Sequence, residues 1–420
     1  MIGGDIMRQL YIFVFQNLLV TVCGLIDTAF SNSINLDSIC VLSSYTVITW
    51  VTYNLYSLGS YGYRVLQDKA KLCLYLQIAL SVVVGFLAFS LSEFIPHIYS
   101  LTPEQYVLFS KCLRVHAISI PALALGEFMN RYMMLKCKNK QILVANIIFY
   151  AIMIALDAIV VYLGKDLSFI LLATLVSYLV YDVYVLIASG ILHEELKFSF
   201  KDIGNIMQHG CPILFDRLSG KVATIAYNAL ASSLGTELYA IHSVCYTLTT
   251  ASEGTTGALY TYQTVDLIKK EPGLSRFNRC ITTMKTQGFK LVLITYLISF
   301  VLLLFTHGDV PLSHCWVWLI LYVSQSIVLV FYESFSGYLT TEKQTAYLSF
   351  GGVCGILTRI PIALVGYCFN LGLFPFAIAC VIDYGIRSLY FYLCSVKARD
   401  HIEGSLTVEP DSSAELHTVT

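Results

Sequence analysis

The sequence predicts an all-α polytopic membrane protein, with twelve transmembrane helices in two parallel six-helix lobes around a central cleft. Three observations carry that prediction. The 420 residues are 57% hydrophobic and only 13% charged, with a mean hydropathy of +0.70, where a soluble globular chain carries about 25% charged residues. Apolar stretches of about 20 residues, the length that crosses a bilayer, recur with polar breaks between them. The two halves of the chain also share short segments at an offset of roughly 202 residues.

Taken in order, the apolar stretches place spans near 8–30, 36–62, 71–97, 105–133, 141–164 and 167–192 in the first half. The second half gives 204–234, 237–266, 287–306, 312–340, 344–367 and 372–396. The first half then forms a lobe over 1–195, the second a lobe over 196–397, and the polar end "KARDHIEGSLTVEPDSSAELHTVT" a disordered cytoplasmic tail over 398–420. No basic region with a small-residue cleavage site opens the chain, so the first apolar segment is expected to be retained.

Charge asymmetry tests the count of spans. With the N-terminus inside, the inner segments hold eighteen cations, among them Arg64, Lys69, Lys71, Arg131, Lys136, Lys138 and Lys140. The outer loops hold one, Lys165. That bias obeys the positive-inside rule and sets both termini in the cytoplasm, in a multi-pass protein of the plasma membrane. A net charge of −1 leaves no bulk attraction to nucleic acid. The 13 Cys are scattered with no C-x-x-C, which reads as buried, inert thiols.

The internal repeat shows in three places. "KNKQ" at 138–141 corresponds to "TEKQ" at 341–344, "YLVYDVYVL" at 178–186 to "CVIDYGIRSL" at 380–389, and "SNSINLDSI" to "SSLGTELYAI". Six helices per half give both halves the same topology, so the repeat axis runs along the membrane normal. Transporters of that build hold substrate between the halves and move one half against the other.

"GLIDTAF" in the first span resembles the "VDT" signature of the multidrug and toxic compound extrusion (MATE) family. "GCPILFDRLSGKVATIAYNALASSLGTELYAIHSV" resembles that family's seventh-to-eighth helix segment, a "G-x-P" opening followed by "ASLGTEALAAH". The resemblance covers nearly the whole chain before the tail. It implies secondary active export of organic solutes by antiport with protons or sodium ions, through alternating access. It also implies that Asp27 and Asp157 flank a cation site in the first lobe. "MIALD" keeps Leu156 and Asp157 of the family's fifth-span pattern but has Met153 where an Asn is usual. The seventh-span glutamate of the sodium-linked branch would fall at Gly220, which favours protons.

Carboxylates in a bilayer are costly, about 2.5–3.5 kcal/mol at a helix centre, so each calls for a function or a partner. Asp27 and Asp157 both fall in the outer parts of spans that run outward, at similar depth. Two carboxylates there repel when both are ionised, which suits a proton or small cation taken up on one side and released on the other. A salt bridge to Lys111 or Arg114, or reach to the outer surface, is the structural alternative. Asp182, among Tyr178, Tyr181 and Tyr184, and Glu253 in the eighth span are further coupling candidates. In the second half Asp216, Glu253, Glu333 and Asp383 balance Arg217, Lys221, Arg359 and Arg387, which reads as internal pairing. Asp383 and Arg387, one helical turn apart, can pair directly.

With 29 Tyr and 24 Phe, the chain has aromatics for interfacial belts and for a cavity. Tyr53, Tyr56, Tyr246 and Tyr260 are the candidates for lining one, where ring faces suit flat or cationic organic molecules. The expected partners are thus a small organic substrate, cationic or amphipathic, and membrane lipid; a monomer suffices. "SGKVAT" is not a phosphate-binding loop, and H-E-x-x-H and G-x-S-x-G are absent, so the chain reads as no enzyme and needs no cofactor beyond the coupling ion. One alternative is a lipid-linked oligosaccharide flippase of the same superfamily, its cavity ringed by cations such as Arg217, Lys221, Arg359 and Arg387. A non-transporting membrane receptor or scaffold is the other.

Overall fold

The computed structural model describes residues 36–98, 102–136, 138–196, 198–232, 236–264, 273–307 and 311–407, with isolated positions from Tyr11 to Ile34 and at Leu234. Every regular element among the described residues is helical. In chain order they are α1 (Leu36–Tyr56), α2 (Leu58–Val65), α3 (Ala70–Ser90), α4 (Pro103–Leu135), α5 (Asn139–Tyr162), α6 (Leu167–Ser189) and α7 (Phe200–Ser232). Then follow α8 (Thr236–Tyr262), α9 (Gly273–Thr306), α10 (Leu312–Val323), α11 (Gln325–Thr341), α12 (Ala346–Cys368) and α13 (Phe374–Thr407). Asp27 lies outside the described residues.

These helices occupy the second to twelfth expected spans. Two spans are broken: α1 passes to α2 at Ser57, whose Oγ donates to the Tyr53 carbonyl at 2.7 Å, and α10 to α11 at Ser324. Among the described residues eight helical segments are long and apolar enough to cross a membrane. α7 and α8 fall short of that composition because they carry polar residues of the interior, such as Arg217, Lys221, Thr249, Thr255 and Thr256. Outward-facing side chains are apolar, with Phe86 71% and Ile187 78% exposed. In water such a belt would be an aggregation surface; in lipid it is the matching solvent.

Local signals fix the ends. Thr102 and Gln105 form a reciprocal capping box ahead of α4, with Pro103 in the first turn. Asp166 caps α6 by accepting from the Ser168 amide at 3.0 Å, and Gly190 ends it at φ 73°. α13 runs to Thr407, ten residues beyond where the tail was expected to begin, because "KARDHIE" has no helix breaker before Gly404.

Within the first half α3 packs on α4, α4 on α6 and α5 on α6. Within the second α12 packs on α7 and α13, and α11 on α13, α8 and α9. Between the halves α1 and α2 pack on α7, and α2 touches α11. The α2–α7 approach needs glycine. A Cβ on Gly62 would sit 2.5 Å from Ile206 Cγ2, and one on Gly210 would sit 2.9 Å from Leu58 Cδ1 and 3.2 Å from its carbonyl oxygen. Salt bridges at this end, Lys69–Asp202 at 2.9 Å and Lys136–Glu194 at 3.0 Å, gather the cationic connections together. At the other end Lys111 pairs with Asp166 at 3.6 Å and Arg114 with Glu93. Both cations are thereby engaged away from Asp157. None of eleven described cysteines is in a disulfide.

Candidate functional site

A cavity of about 360 Å³ lies between the halves, beyond the glycine contact. From the first half, α1 supplies Trp50, Tyr53 and Asn54, α2 Tyr61 and Arg64, and α4 Arg131. Positions 50, 53 and 54 share one helical face, as do 61 and 64. From the second half, α7 supplies Arg217 and Lys221, one turn apart, α8 Gly254, Gly257, Tyr260 and Thr261, and α11 Glu333. Among the described residues four cations thus line the cavity against one carboxylate.

Each cation is placed by its neighbours. Arg131 Nε donates to Glu127 Oε1 at 3.2 Å, one turn back on α4. Glu127 also accepts from Tyr53 Oη at 3.2 Å, from Gln77 Nε2 at 2.8 Å and from Ser60 Oγ. Arg217 makes a two-point pair with Glu333, Nη1 to Oε1 at 3.2 Å and Nη2 to Oε2 at 3.1 Å. Tyr260 is clasped by Arg64 from one half and Arg217 from the other, at 4.7 and 4.9 Å from the ring centre. Lys221 lies 4.0 Å over Trp50, again across the two halves. Such contacts are worth about 0.5–2 kcal/mol each. Asn54 donates to the Trp50 carbonyl at 2.7 Å and accepts from Tyr61 Oη at 2.7 Å, which fixes the aromatic floor.

Behind Arg217 runs a buried ionic set that does not line the cavity. Arg387 Nη1 reaches Asp216 at 3.4 Å, and Tyr332 Oη donates to the other Asp216 oxygen at 2.6 Å. Arg387 Nε and Arg359 Nη2 donate to the two oxygens of Asp383, each at 2.6 Å. All four charged groups are buried. Gly355 is required here, since a Cβ at that position would overlap the Arg387 guanidinium.

The structure distributes the expected site residues as follows. Tyr53 and Tyr260 line the cavity. Tyr56 is buried behind Tyr53, the rings edge-on at 5.6 Å, and Tyr246 stacks on His242 within the second half. Asp157, fully buried, sits five residues before the end of α5, and Asp182 fifteen residues after the start of α6. In antiparallel neighbours that offsets them by roughly 15 Å along the axis. Glu253 is on α8, but its side chain lies outside the described residues. Arg359 and Arg387, named with Arg217 and Lys221 as flippase-type cavity cations, are instead consumed by Asp383 and Asp216.

Three charged groups escaped the sequence reading. Arg64 and Arg131 were counted with the inner cations, yet both are on helices and reach the cavity. Glu127 had a usable signal: it precedes Arg131 by four residues inside an otherwise apolar span, the spacing of a same-face ion pair.

Solved structures share this fold. A multidrug resistance MATE family transporter of the MOP superfamily, in an outward-facing conformation, superimposes with a TM-score of 0.77 at 16% identity, over 95% of this chain and 96% of that one. The chain has the fold of the MATE transporters. A MOP superfamily transporter from Pyrococcus furiosus, described by the reversed polarity of its binding pocket, matches the MATE-fold chain at TM-score 0.74 and 16% identity, over 95% and 96% of the two chains. A MATE protein in complex with MaD5 matches at TM-score 0.77 and 14% identity, over the same shares. A family model described as "Polysaccharide biosynthesis protein" matches residues 64–260. No curated protein sequence matches the chain.

Proposed function

We propose that the protein is a membrane transporter that carries an amphipathic organic anion, of the phosphate-bearing saccharide-lipid class, between its two halves by alternating access. The observation that carries this reading is the charge of the cavity among the described residues: Arg64, Arg131, Arg217 and Lys221 against Glu333, or against two carboxylates when Glu127 is counted. Guanidinium forks match phosphate oxygens in a two-point geometry, and a low-dielectric cleft strengthens that attraction. The same charges oppose a cationic substrate. Trp50, Tyr53 and Tyr260 offer flat apolar faces beside the cations, as a saccharide or lipid stem needs.

Two likenesses support the reading. The match to the polysaccharide-biosynthesis family begins at Arg64 and ends at Tyr260, so it spans all four cations. The Pyrococcus furiosus transporter is described as having a binding pocket of reversed polarity and a different function. Among the described residues both halves of one chain line the cavity, which supports a monomer. Movement of a fluorescent polyprenyl-pyrophosphate disaccharide across proteoliposome bilayers tests the proposal. Faster exposure of the label to an outside quencher than in protein-free vesicles is expected, and an unchanged rate would refute it.

Antiport of organic solutes against protons or sodium ions is the second reading, favoured by Asp157 and Asp182. Both are buried carboxylates of the first half, and Asp182 Oδ1 accepts no hydrogen bond among the described residues. Efflux of a fluorescent cation driven by an imposed pH or sodium gradient, abolished in Asp157→Asn, is its signature.

A further inference from the structure

We infer that Glu333 is a built-in competitor for the anion subsite: it occupies Arg217 in the empty cavity, and the transported anion must displace it. The inference rests on the reading of the cavity as an anion site. Its geometric basis is the two-point Arg217–Glu333 pair, with both guanidinium Nη atoms bonded to the two carboxylate oxygens at 3.2 and 3.1 Å. A phosphate group would use the same two donors.

Glu333 differs from the other internal acids in how it is held. Glu127 has four hydrogen-bond donors, from Tyr53, Ser60, Gln77 and Arg131. Asp383 is gripped by Arg359 and Arg387, and Asp216 by Arg387 and Tyr332. Among the described residues the Glu333 carboxylate is held by Arg217 alone. It is also the one carboxylate among the described cavity-lining residues. The fixed acids are structural, whereas Glu333 can let go by breaking a single pair.

Arg217 can keep its place when that happens. Its guanidinium also lies over the rings of Tyr260 at 4.9 Å and Tyr332 at 5.5 Å, which hold it from two sides. An exchange of carboxylate for phosphate therefore never leaves the arginine buried and unpaired, the costly state for an ion in a low-dielectric site. The exchange also filters ligands. An anion that binds the fork at two points competes with Glu333 on equal terms; a spherical monoanion such as chloride does not.

Equilibrium binding of farnesyl pyrophosphate to the full-length protein in nanodiscs, by titration calorimetry, tests the inference. Glu333→Gln is expected to bind the probe about tenfold more tightly than wild type, the low end of coupling measured for close charge pairs. That gain should vanish in an Arg217→Gln background, and chloride should compete better in Glu333→Gln than in wild type. Should Glu333→Gln not fold, Glu333→Asp, which keeps the charge but cannot span both donors, should still gain about threefold. Wild-type binding with no gain in these variants overturns the role of Glu333 and leaves the anion site standing. Absence of binding in wild type and variants alike overturns the anion-site reading, and this inference with it.

Discussion

Arg387 and Asp383 face each other across one turn of α13, joined by Nε to Oδ1 at 2.6 Å and Nη2 to Oδ2 at 3.1 Å. Arg359 and Asp216 complete the set from α12 and α7, so one ionic knot ties three helices of the second half. Two acids and two arginines balance, which makes the set affordable in a bilayer only while all four are present.

Arg387→Met should therefore destabilise the protein by about 3–5 kcal/mol, because it leaves buried carboxylate charge without its main partner. Asp383→Asn alone should do comparable damage. The double variant should cost clearly less than the two losses added, since each single change strands the other partner. Denaturation in detergent micelles, followed by tryptophan fluorescence, provides the cycle; strict additivity would mean the pair contributes nothing specific.

The glycine contact between α2 and α7 should act as the closed gate at the end that gathers the cationic connections. Gly210→Val places methyl groups against the Leu58 side chain and carbonyl. Overpacking of this kind costs about 1–3 kcal/mol, enough to shift a two-state gate roughly tenfold. A cysteine at Asn54, in the cavity wall, should then react faster with an impermeant maleimide added from that side. Equal labelling in both backgrounds would show that the gate lies elsewhere.

Glu127→Gln should act on stability more than on affinity. The amide keeps contact with Ser60 and Gln77 but gives up the charge that holds Arg131, a loss of about 1–3 kcal/mol. Farnesyl pyrophosphate affinity should change less than threefold, because Arg131 stays on the same helical face. A gain as large as that expected of Glu333→Gln would remove the distinction between the two acids.

Outside the membrane, Glu194 gives a pH signature. Burial raises its pKa, but the Tyr132 hydroxyl at 2.6 Å and Lys136 at 3.0 Å outweigh that and lower it below the usual glutamate value. A lowered folded-state pKa means the contribution is fully present above the unfolded value, about 4.3, and is lost as pH falls through the folded one. Glu194 is partly exposed, so the effect at neutral pH should not exceed about 1 kcal/mol. Stability of Glu194→Gln, measured from pH 7 down to 3, should converge on wild type at the acid end; a constant gap would rule out the charge as its source.

Much of this architecture is legible because a bilayer imposes length on apolar segments. The spans containing α3, α5, α6 and α12 announce themselves, and the i, i+4 spacing of Asp383 and Arg387 points to their pair. What lies between distant segments is not legible. Asp216 meets Arg387 across 171 positions, and Arg217 meets Glu333 across 116, separations for which local spacing has no rule. Arg64 and Arg131 were misleading for a different reason. They stand near the ends of helices, where the charge bias of connections is counted, and only the inward turn of α2 and the length of α4 bring them into the cavity. Glu253 and Asp27 stay as expectations from sequence alone.

The sign of the cargo's charge separates the two transport readings, and reversing one cavity charge probes that sign. Wild-type protein and Lys221→Glu should be compared in the same proteoliposomes for movement of a fluorescent polyprenyl-pyrophosphate disaccharide and of ethidium. Wild type should move the anionic probe, Lys221→Glu should lose at least tenfold, and wild type should show no gradient-driven ethidium transport. Ethidium efflux by wild type under a pH gradient, with the anionic probe left unmoved, would contradict the anionic reading.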